Sequence, residues 1–314
     1  MDRRNFLKAL AAAGAVLTFK SNGVMDVMAA TMTQNNNTPK DSIDMVAVLN
    51  GEPDSMLRAA FEHYGGVEKF IQKGDKVTLK PNIGWDRTPE IAANTNPLLV
   101  KEMVKICLNA GAAEVKVFDH CCDEWSRCYN RSGISQAVKE AGGIMIHGHE
   151  ESYYQEVALP NGKVLKKAKI HKAILESDKW FNIPVLKNHG GARLTISMKN
   201  HMGIVWDRRE FHSKGLQNCI ADISTLSKPA TLHIVDAYRT MTNNGPQGRS
   251  EADVILTKAL FVSADVVAVD TAAAKFFNQF KTIPVESVSH ITNGQELGLG
   301  TMDIDKLNIK RVRL

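Results

Sequence analysis

Between residues 44 and 118, short apolar runs and helical patterns take turns, and this alternation limits the fold more than any other feature of the chain. Residues 44–49 have strand character. Residues 53–64 place Met56, Leu57, Ala60 and Phe61 at helical spacing and stop at Gly65-Gly66. A second strand, 76–80, runs into Pro81-Asn82. Asn96 and Pro97 then supply a cap and a first helical turn for a segment with Leu99, Met103, Ile106 and Cys107 on one face, and 114–118 is a third strand. Strand, helix and strand joined by short loops build a parallel sheet covered by helices.

The remainder of the chain extends this pattern. We expect a helix over 134–141, a strand near 144–146, a helix over 171–176, a helix over 219–226, strands over 231–236 and 259–262, and a helix over 266–280 capped from Ser263-Ala264-Asp265. The last segment, 306–314, alternates as an edge strand does. Residues 151–170 interrupt the order with a hairpin centred on Asn161-Gly162. The expected fold class is therefore α/β, a mostly parallel sheet flanked by helices, with a β-hairpin excursion around 151–170. One domain over 44–314 follows a signal segment, 1–30, and a polar linker, 31–43.

That signal segment begins with Arg3-Arg4, Phe6, Leu7 and Lys8 and continues into the apolar run 9–17, which is too short to span a bilayer. A paired arginine before such a run has the form of a twin-arginine export signal. Small residues near Ala29 and Ala30 offer a cleavage region, with no cysteine there to take a lipid. The implied product is periplasmic, has the twin-arginine machinery as its export partner, and keeps no stable membrane anchor after cleavage. Because that route carries folded proteins, often with a cofactor in place, it raises the expectation of a cofactor without naming one. The formal charge is +5, and residues 1–30 carry four cations and two anions, so the mature part keeps a mild excess that argues for no nucleic-acid partner.

The chemistry concentrates in 180–213. An apolar run stops at Pro184, and Lys187, Asn188, His189, Lys199, Asn200, His201 and His212 follow within about thirty residues. Lys80 and Asn82 echo Lys187 and Asn188, each a lysine and an asparagine after an apolar run. Strand ends of open α/β sheets are where ligands bind, so two such ends can face one crevice. We expect Lys80, Asn82, Lys187, Lys199 and Asn200 to bind a small anionic molecule, since lysines supply point charges and amides fix orientation. His189 or His212 would move a proton and Asp236 would orient the histidine. Crowded cations depress one another's pKa, which can bring a lysine or histidine into range as a base.

Several of these segments together resemble a known family. They are Lys80-Pro81-Asn82, Leu186-Lys187-Asn188-His189, Met198-Lys199-Asn200-His201-Met202-Gly203, His212, Asp236-Ala237-Tyr238, Gly245-Pro246 and the run from Ser263 to Asp270. Their order over about 45–280 is similar to that of the family catalogued as domain of unknown function 362. The resemblance implies an α/β fold and no agreed activity. Some relatives in that family hold iron–sulfur clusters on ferredoxin-like cysteine runs, which this chain lacks.

Other chemistries stay open at this point. His189, His201, His212 and Asp236 are suitable metal donors but match no compact ligand spacing, so no metal site is assigned. Cys121, Cys122 and Cys128 follow the third strand, where a disulfide from Cys128 to either neighbour or inert thiols are expected ahead of a cluster. Cys107 and Cys219 have the setting of buried fillers. Met198, Met202 and Trp206 are spaced for helix packing. The chain lacks G-x-S-x-G, G-x-G-x-x-G and G-x-x-x-x-G-K-[ST]. The leading expectation is an exported protein binding a small anion with acid–base chemistry. The alternatives are a metal- or iron–sulfur-dependent oxidoreductase and a non-catalytic periplasmic binding protein. The cofactor is unknown.

Overall fold

The computed structural model describes residues 42–314. The signal segment and the linker up to residue 41 lie outside them. In chain order the strands and helices open with β1 (Met45–Leu49), α1 (Pro53–Tyr64), β2 (Lys76–Pro81), α2 (Pro97–Asn109) and β3 (Glu114–Val117). Next come α3 (Trp125–Arg131), α4 (Ile134–Glu140), β4 (Ile144–Met145), β5 (Tyr154–Ala158), β6 (Lys167–His171) and α5 (Lys172–Glu176). The middle of the chain forms β7 (Lys179–Ile183), β8 (Val185–His189), β9 (Arg193–Thr195), α6 (Ser197–Asn200), α7 (Arg209–Lys214) and α8 (Leu216–Ile223). It closes with β10 (Leu232–Met241), β11 (Val254–Ser263), α9 (Val266–Phe277), α10 (Ser289–Glu296) and β12 (Ile309–Arg313).

Ten of these strands form one sheet in the order β12-β1-β11-β10-β7-β2-β3-β4, with β8 branching from β10 and β9 from β8. Strands β10, β7, β2, β3 and β4 run parallel, and β11 is antiparallel to both neighbours. The final strand pairs with β1 in parallel at the edge. The sheet is thus mixed and mostly parallel with helices on its faces, as the alternation predicts.

Strand periodicity decides which side chains reach the site. In β2, Val77 and Leu79 join Phe181 and Ile183 of β7 and Leu232 and Ile234 of β10 in the core under α1 and α2. Their alternates Lys80, Asn182 and His233 point to the opposite face, and the register sets them side by side as Lys80 with Asn182 and Asn182 with His233. This polar row lies beneath α6. Two N–H groups at the start of that short helix, Ser197 N and Met198 N, donate to the Asp270 carboxylate on α9 at 2.8 and 3.0 Å. Burial pushes the Asp270 carboxyl up to about 7, although the N–H donors oppose the shift.

The helix starts follow local rules. Asn96 accepts from Leu98 N with Pro97 in the first turn of α2, and Asp265 accepts from Ala268 N at the start of α9. Gly65 ends α1 at φ 83, a conformation that favours glycine.

The hairpin around Asn161-Gly162 is present, with β5 and β6 as its strands, but those two residues do not join the strands directly: they lie in a longer connection, 159–166, where Gly162 N donates to Leu159 O at 3.0 Å. Asp222 on α8 holds that connection open by accepting from Lys163 N, Val164 N and Leu165 N at 2.7–2.8 Å. Met198, Met202 and Trp206 do not share a helix either. The α6 turn passes into a tighter 3-10 turn, His201–Ile204, and the chain is extended by Val205, which bridges to Ile170.

Replacing Asp270 by Ala leaves two buried N–H groups without an acceptor. A loss of about 2–4 kcal/mol is expected in chemical denaturation, with Asp270→Asn retaining part of the stability.

Candidate functional site

Parallel strands that stop together deliver their last side chains to one crevice. Here β2 brings Lys80 and, just past its end, Asn82. The loop after β3 brings Asp119, β8 brings Lys187 and His189, and α6 brings Lys199 and Asn200. Trp206 to Arg209, His212 on α7 and Pro246 close the remaining sides of a cavity of about 580 Å³. Pro184 makes this wall possible: lacking an N–H, it ends β7, and the chain restarts as β8, which pairs onward along β10 and folds back as β9.

One amide organises the floor. Asn200 Oδ1 accepts from Lys80 Nζ at 2.7 Å and from Asn82 Nδ2 at 2.9 Å, while its Nδ2 donates to Asn182 Oδ1 at 2.8 Å. Asn82 Oδ1 in turn accepts from Lys187 Nζ at 3.1 Å, and Lys187 also donates to the Ala93 carbonyl. Lys80 pairs with Asp119 at 2.9 Å with both side chains almost fully buried, and Asp119 Oδ2 accepts from Ile83 N. Directly above, Gly203 has no side chain for a reason of space: a Cβ there would lie 1.9 Å from Asp119 Oδ1 and 2.5 Å from Lys80 Nζ.

The lining contains five lysines and arginines (Lys80, Lys187, Lys199, Arg208, Arg209) against two aspartates (Asp119, Asp207). Burial lowers the Lys80 ammonium, with Asp119 opposing the shift. Burial brings Lys187 down to about 7 and Lys199 to about 8. Neighbouring cations add to both effects: Lys199 on Lys187, and Arg208 and Lys80 on Lys199. Among the described residues the Lys199 ammonium has no hydrogen-bond or ion-pair partner. Arg208 is spent on the loop beside it, donating to the carbonyls of His120 and Cys121 and to Cys122 Sγ. His120 stacks on Trp206 at 5.2 Å.

His189 has a defined tautomer. Its Nδ1 accepts from Gly191 N at 3.1 Å and Ala192 N at 3.0 Å, so the proton of the neutral ring sits on Nε2. Burial and then Lys199 and Lys187 hold its pKa near 2. The neutral ring thus presents Nε2–H as a hydrogen-bond donor.

Of the eight residues singled out in the sequence, Lys80, Asn82, Lys187, His189, Lys199, Asn200 and His212 line this cavity. Asp236 does not. Its carboxylate accepts from Asn96 N at 2.7 Å and Tyr238 N at 3.0 Å, which anchors the start of α2 and leaves no bond to either histidine. The possible metal set also disperses. His201 is buried outside the cavity, bonded to Ser224 Oγ at 2.9 Å, while His189 and His212 line it. All five cysteines are free, one of the two arrangements expected for Cys121, Cys122 and Cys128, and Cys122 alone of the five faces the cavity. Asp119, Gly203 and Arg208 went unassigned in the sequence. Asp119 had a usable signal, since it follows β3 as Asn82 follows β2, whereas Arg208 had none.

Residues 77–275 match the family model described as domain of unknown function (DUF362). The chain belongs to the DUF362 family. Residues 1–19 of this DUF362 protein match the twin-arginine translocation pathway signal sequence, which directs export by that route. No helix among the described residues is long and apolar enough to cross a membrane. A thylakoid-associated protein of Synechocystis sp. is 25% identical over 232 residues, covering 68% of this chain and 66% of the relative, just under two thirds of its length. Among solved structures, a Thermotoga maritima protein has a TM-score of 0.46 at 15% identity, covering 74% of this chain and 60% of that one. The lactate racemase apoprotein of Thermoanaerobacterium thermosaccharolyticum has a TM-score of 0.41 at 14% identity, covering 71% of this chain and 55% of that one. All the cavity-lining residues of this DUF362 protein fall inside the family match.

A methyl group at position 203 would drive the buried ion pair apart. Gly203→Ala is expected to lose about 2–4 kcal/mol in denaturant titrations, more than Gly190→Ala, where an added Cβ meets only the Gly245 carbonyl at 4.0 Å.

Proposed function

We propose that this exported DUF362 protein binds a small carboxylate- or phosphate-bearing molecule in the crevice at the sheet ends and acts on it by acid–base chemistry. The observation that carries the proposal is the Lys199 ammonium, unpartnered among the described residues and set in a cavity where cations outnumber acids. An anion entering there meets a free ammonium, the Nε2–H of His189 and the side chains of Arg209 and His212. A cavity of about 580 Å³ suits a ligand of metabolite size. Lys199 is the anchor. Lys187, lowered to about 7, is the group that exchanges a proton near neutral pH, a role that replaces the one first given to histidine. We read residues 44–314 as one domain working in the periplasm after loss of a signal segment ending near residue 30.

Binding depends on the protonated lysines, so its pH dependence has a definite sign. Affinity for a small dicarboxylate such as malonate, doubly charged throughout this range, is expected to be highest below pH 7 and to fall as Lys187 and then Lys199 deprotonate, around 7 and 8. Lys199→Met should weaken that binding by about 10- to 100-fold, the worth of one charge-assisted hydrogen bond. Calorimetric titration across pH 6–9 reads both effects, and unchanged affinity in Lys199→Met would sink the assignment. Native mass spectrometry of protein exported by its own signal would reveal a retained ligand. Its release without chemical change, in protein that turns over no related compound, would leave the binding site and remove the chemistry.

Protein stability gives an independent check on Lys187. Its folded pKa of about 7 lies below the usual lysine value, so between the two the unfolded chain carries the extra proton and stability rises with pH. The difference in melting temperature between the unliganded wild type and Lys187→Met should therefore shift in favour of the wild type from pH 7 to pH 10.

A further inference from the structure

A second cluster lies away from the crevice, where the chain leaves the edge strand β4. His147, Gly148, His149 and Glu150 follow that strand, and one donor atom from each of His147, His149 and Glu150 lies within 4.8 Å of the other two. Among the described residues no other group of three histidines, cysteines or acids comes this close. We propose that His147, His149 and Glu150 form a binding site for a divalent transition cation of the zinc, nickel or copper class.

The backbone that presents these side chains is fixed from several directions. Ile146 N donates to Val117 O, and Tyr129 Oη donates to Ile146 O at 3.1 Å. The His147 carbonyl contacts His171 Nε2 at 3.3 Å, and Tyr154 Oη donates to Gly148 O at 2.6 Å. Position 148 has to be glycine, because a Cβ would lie 2.7 Å from the Tyr154 hydroxyl. The rings are held as well. His149 stacks on Trp125 at 4.4 Å with the planes 7° apart, and the His147 ring lies 4.1 Å from it and 5.0 Å from Tyr153. Two imidazoles are thereby brought together before any ion arrives.

The polar atoms point the same way. The Nδ1 atoms of both His147 and His149 are screened from water and have no hydrogen-bond partner among the described residues. Buried ring nitrogens are ordinarily satisfied by a carbonyl or carboxylate, so two adjacent exceptions call for an explanation. A cation shared by the pair supplies one, with Glu150, whose Oε1 lies 3.8 Å from His149 Nε2, turning to the Nδ1 side to join it. Two imidazole nitrogens and one carboxylate oxygen suit borderline transition ions, while calcium and magnesium favour all-oxygen sites. Such ions hold their donors at about 2.0–2.2 Å, so the cluster closes slightly on binding, and the exposed Glu150 side chain can rotate to do so. Three protein donors leave a fourth tetrahedral position for water or a further ligand. His147 also borders a cavity of about 370 Å³ with Tyr153, His171 and Lys172, so that position has room beside it.

The site makes no use of the cationic crevice and stands or falls separately from the anion proposal. The test uses the full exported protein, stripped with a chelator and titrated with Zn²⁺ in competition with an indicator. One equivalent bound at about micromolar or tighter dissociation constant is expected. His147→Ala and His149→Gln should each weaken binding about tenfold or more, and Glu150→Gln should weaken it less. No stoichiometric binding, or binding that survives the double replacement of His147 and His149, overturns the proposal. So does loss of binding on replacing His189 and His212 alone, because the ion would then belong to the crevice. A measurement on the unmodified protein covers variants that fail to fold: Cu²⁺ should quench the part of the tryptophan fluorescence due to Trp125, stacked on His149, saturably at one equivalent, and a chelator should reverse it. Absence of that quenching in the wild type equally overturns the site.

Discussion

Lys80 is an ammonium with almost no contact with water, held at the end of a central strand by one carboxylate and one amide. Removing such a group from solvent costs several kcal/mol, and the cost is offset only where the partners are placed well. That requirement reaches through the structure. Asp119 has to stand beyond the end of β3, next to β2, which needs the parallel pairing of those strands. Asn200 has to present its oxygen from above, which needs the short helix α6, and α6 is set by Asp270 on α9. Gly203 has to come down on the pair with no side chain of its own. The buried ion pair therefore depends on the sheet, the overlying helix and the tight turn after it all being in place.

The same network separates the lysines into kinds. Lys80 is neutralised by Asp119, and Lys187 is held by an amide oxygen and a carbonyl, which orient it without cancelling its charge. Lys199 faces the cavity with no partner among the described residues. This gradation, from a fully paired cation at the floor to an unpaired one at the wall, is the arrangement on which the proposed anion site rests. Neutral amides between cations fix geometry without discharging them, which is why asparagine appears at 82, 182 and 200 where aspartate would collapse the field.

Much of this was legible in the sequence because strand ends carry a local mark. Lys80-Pro81-Asn82 and Lys187-Asn188-His189 each follow an apolar run, and parallel pairing brings such ends together, so the crevice could be anticipated from alternation alone. What escaped were roles set by partners distant in sequence. The sequence offers Asp236, at the end of a strand, as the group that orients a histidine, yet the N–H groups of Asn96 and Tyr238 claim its carboxylate. The tautomer of His189 depends on the turn at Gly191 and Ala192, and the open connection at Asn161-Gly162 depends on Asp222 from another helix. The histidines at 147 and 149 lie in a segment without periodicity, and only the ring of Trp125 and the hydroxyls of Tyr129 and Tyr154 turn them into a pair.

Export through the twin-arginine route adds a constraint on these two sites that geometry alone does not. A protein delivered folded has its buried ion pair and amide network assembled before it crosses the membrane, so the crevice is formed in the compartment of synthesis. The proposed anion can then be taken up before export or after it. The donors at His147, His149 and Glu150 lie at an edge strand with Glu150 exposed, so that site stays open to ions in the destination compartment. The crevice is likewise open on one side, with Asp207, Arg209 and His212 exposed at its rim. Both proposed sites can therefore be filled on either side of the membrane, and comparing protein isolated before and after export shows where each ligand is acquired.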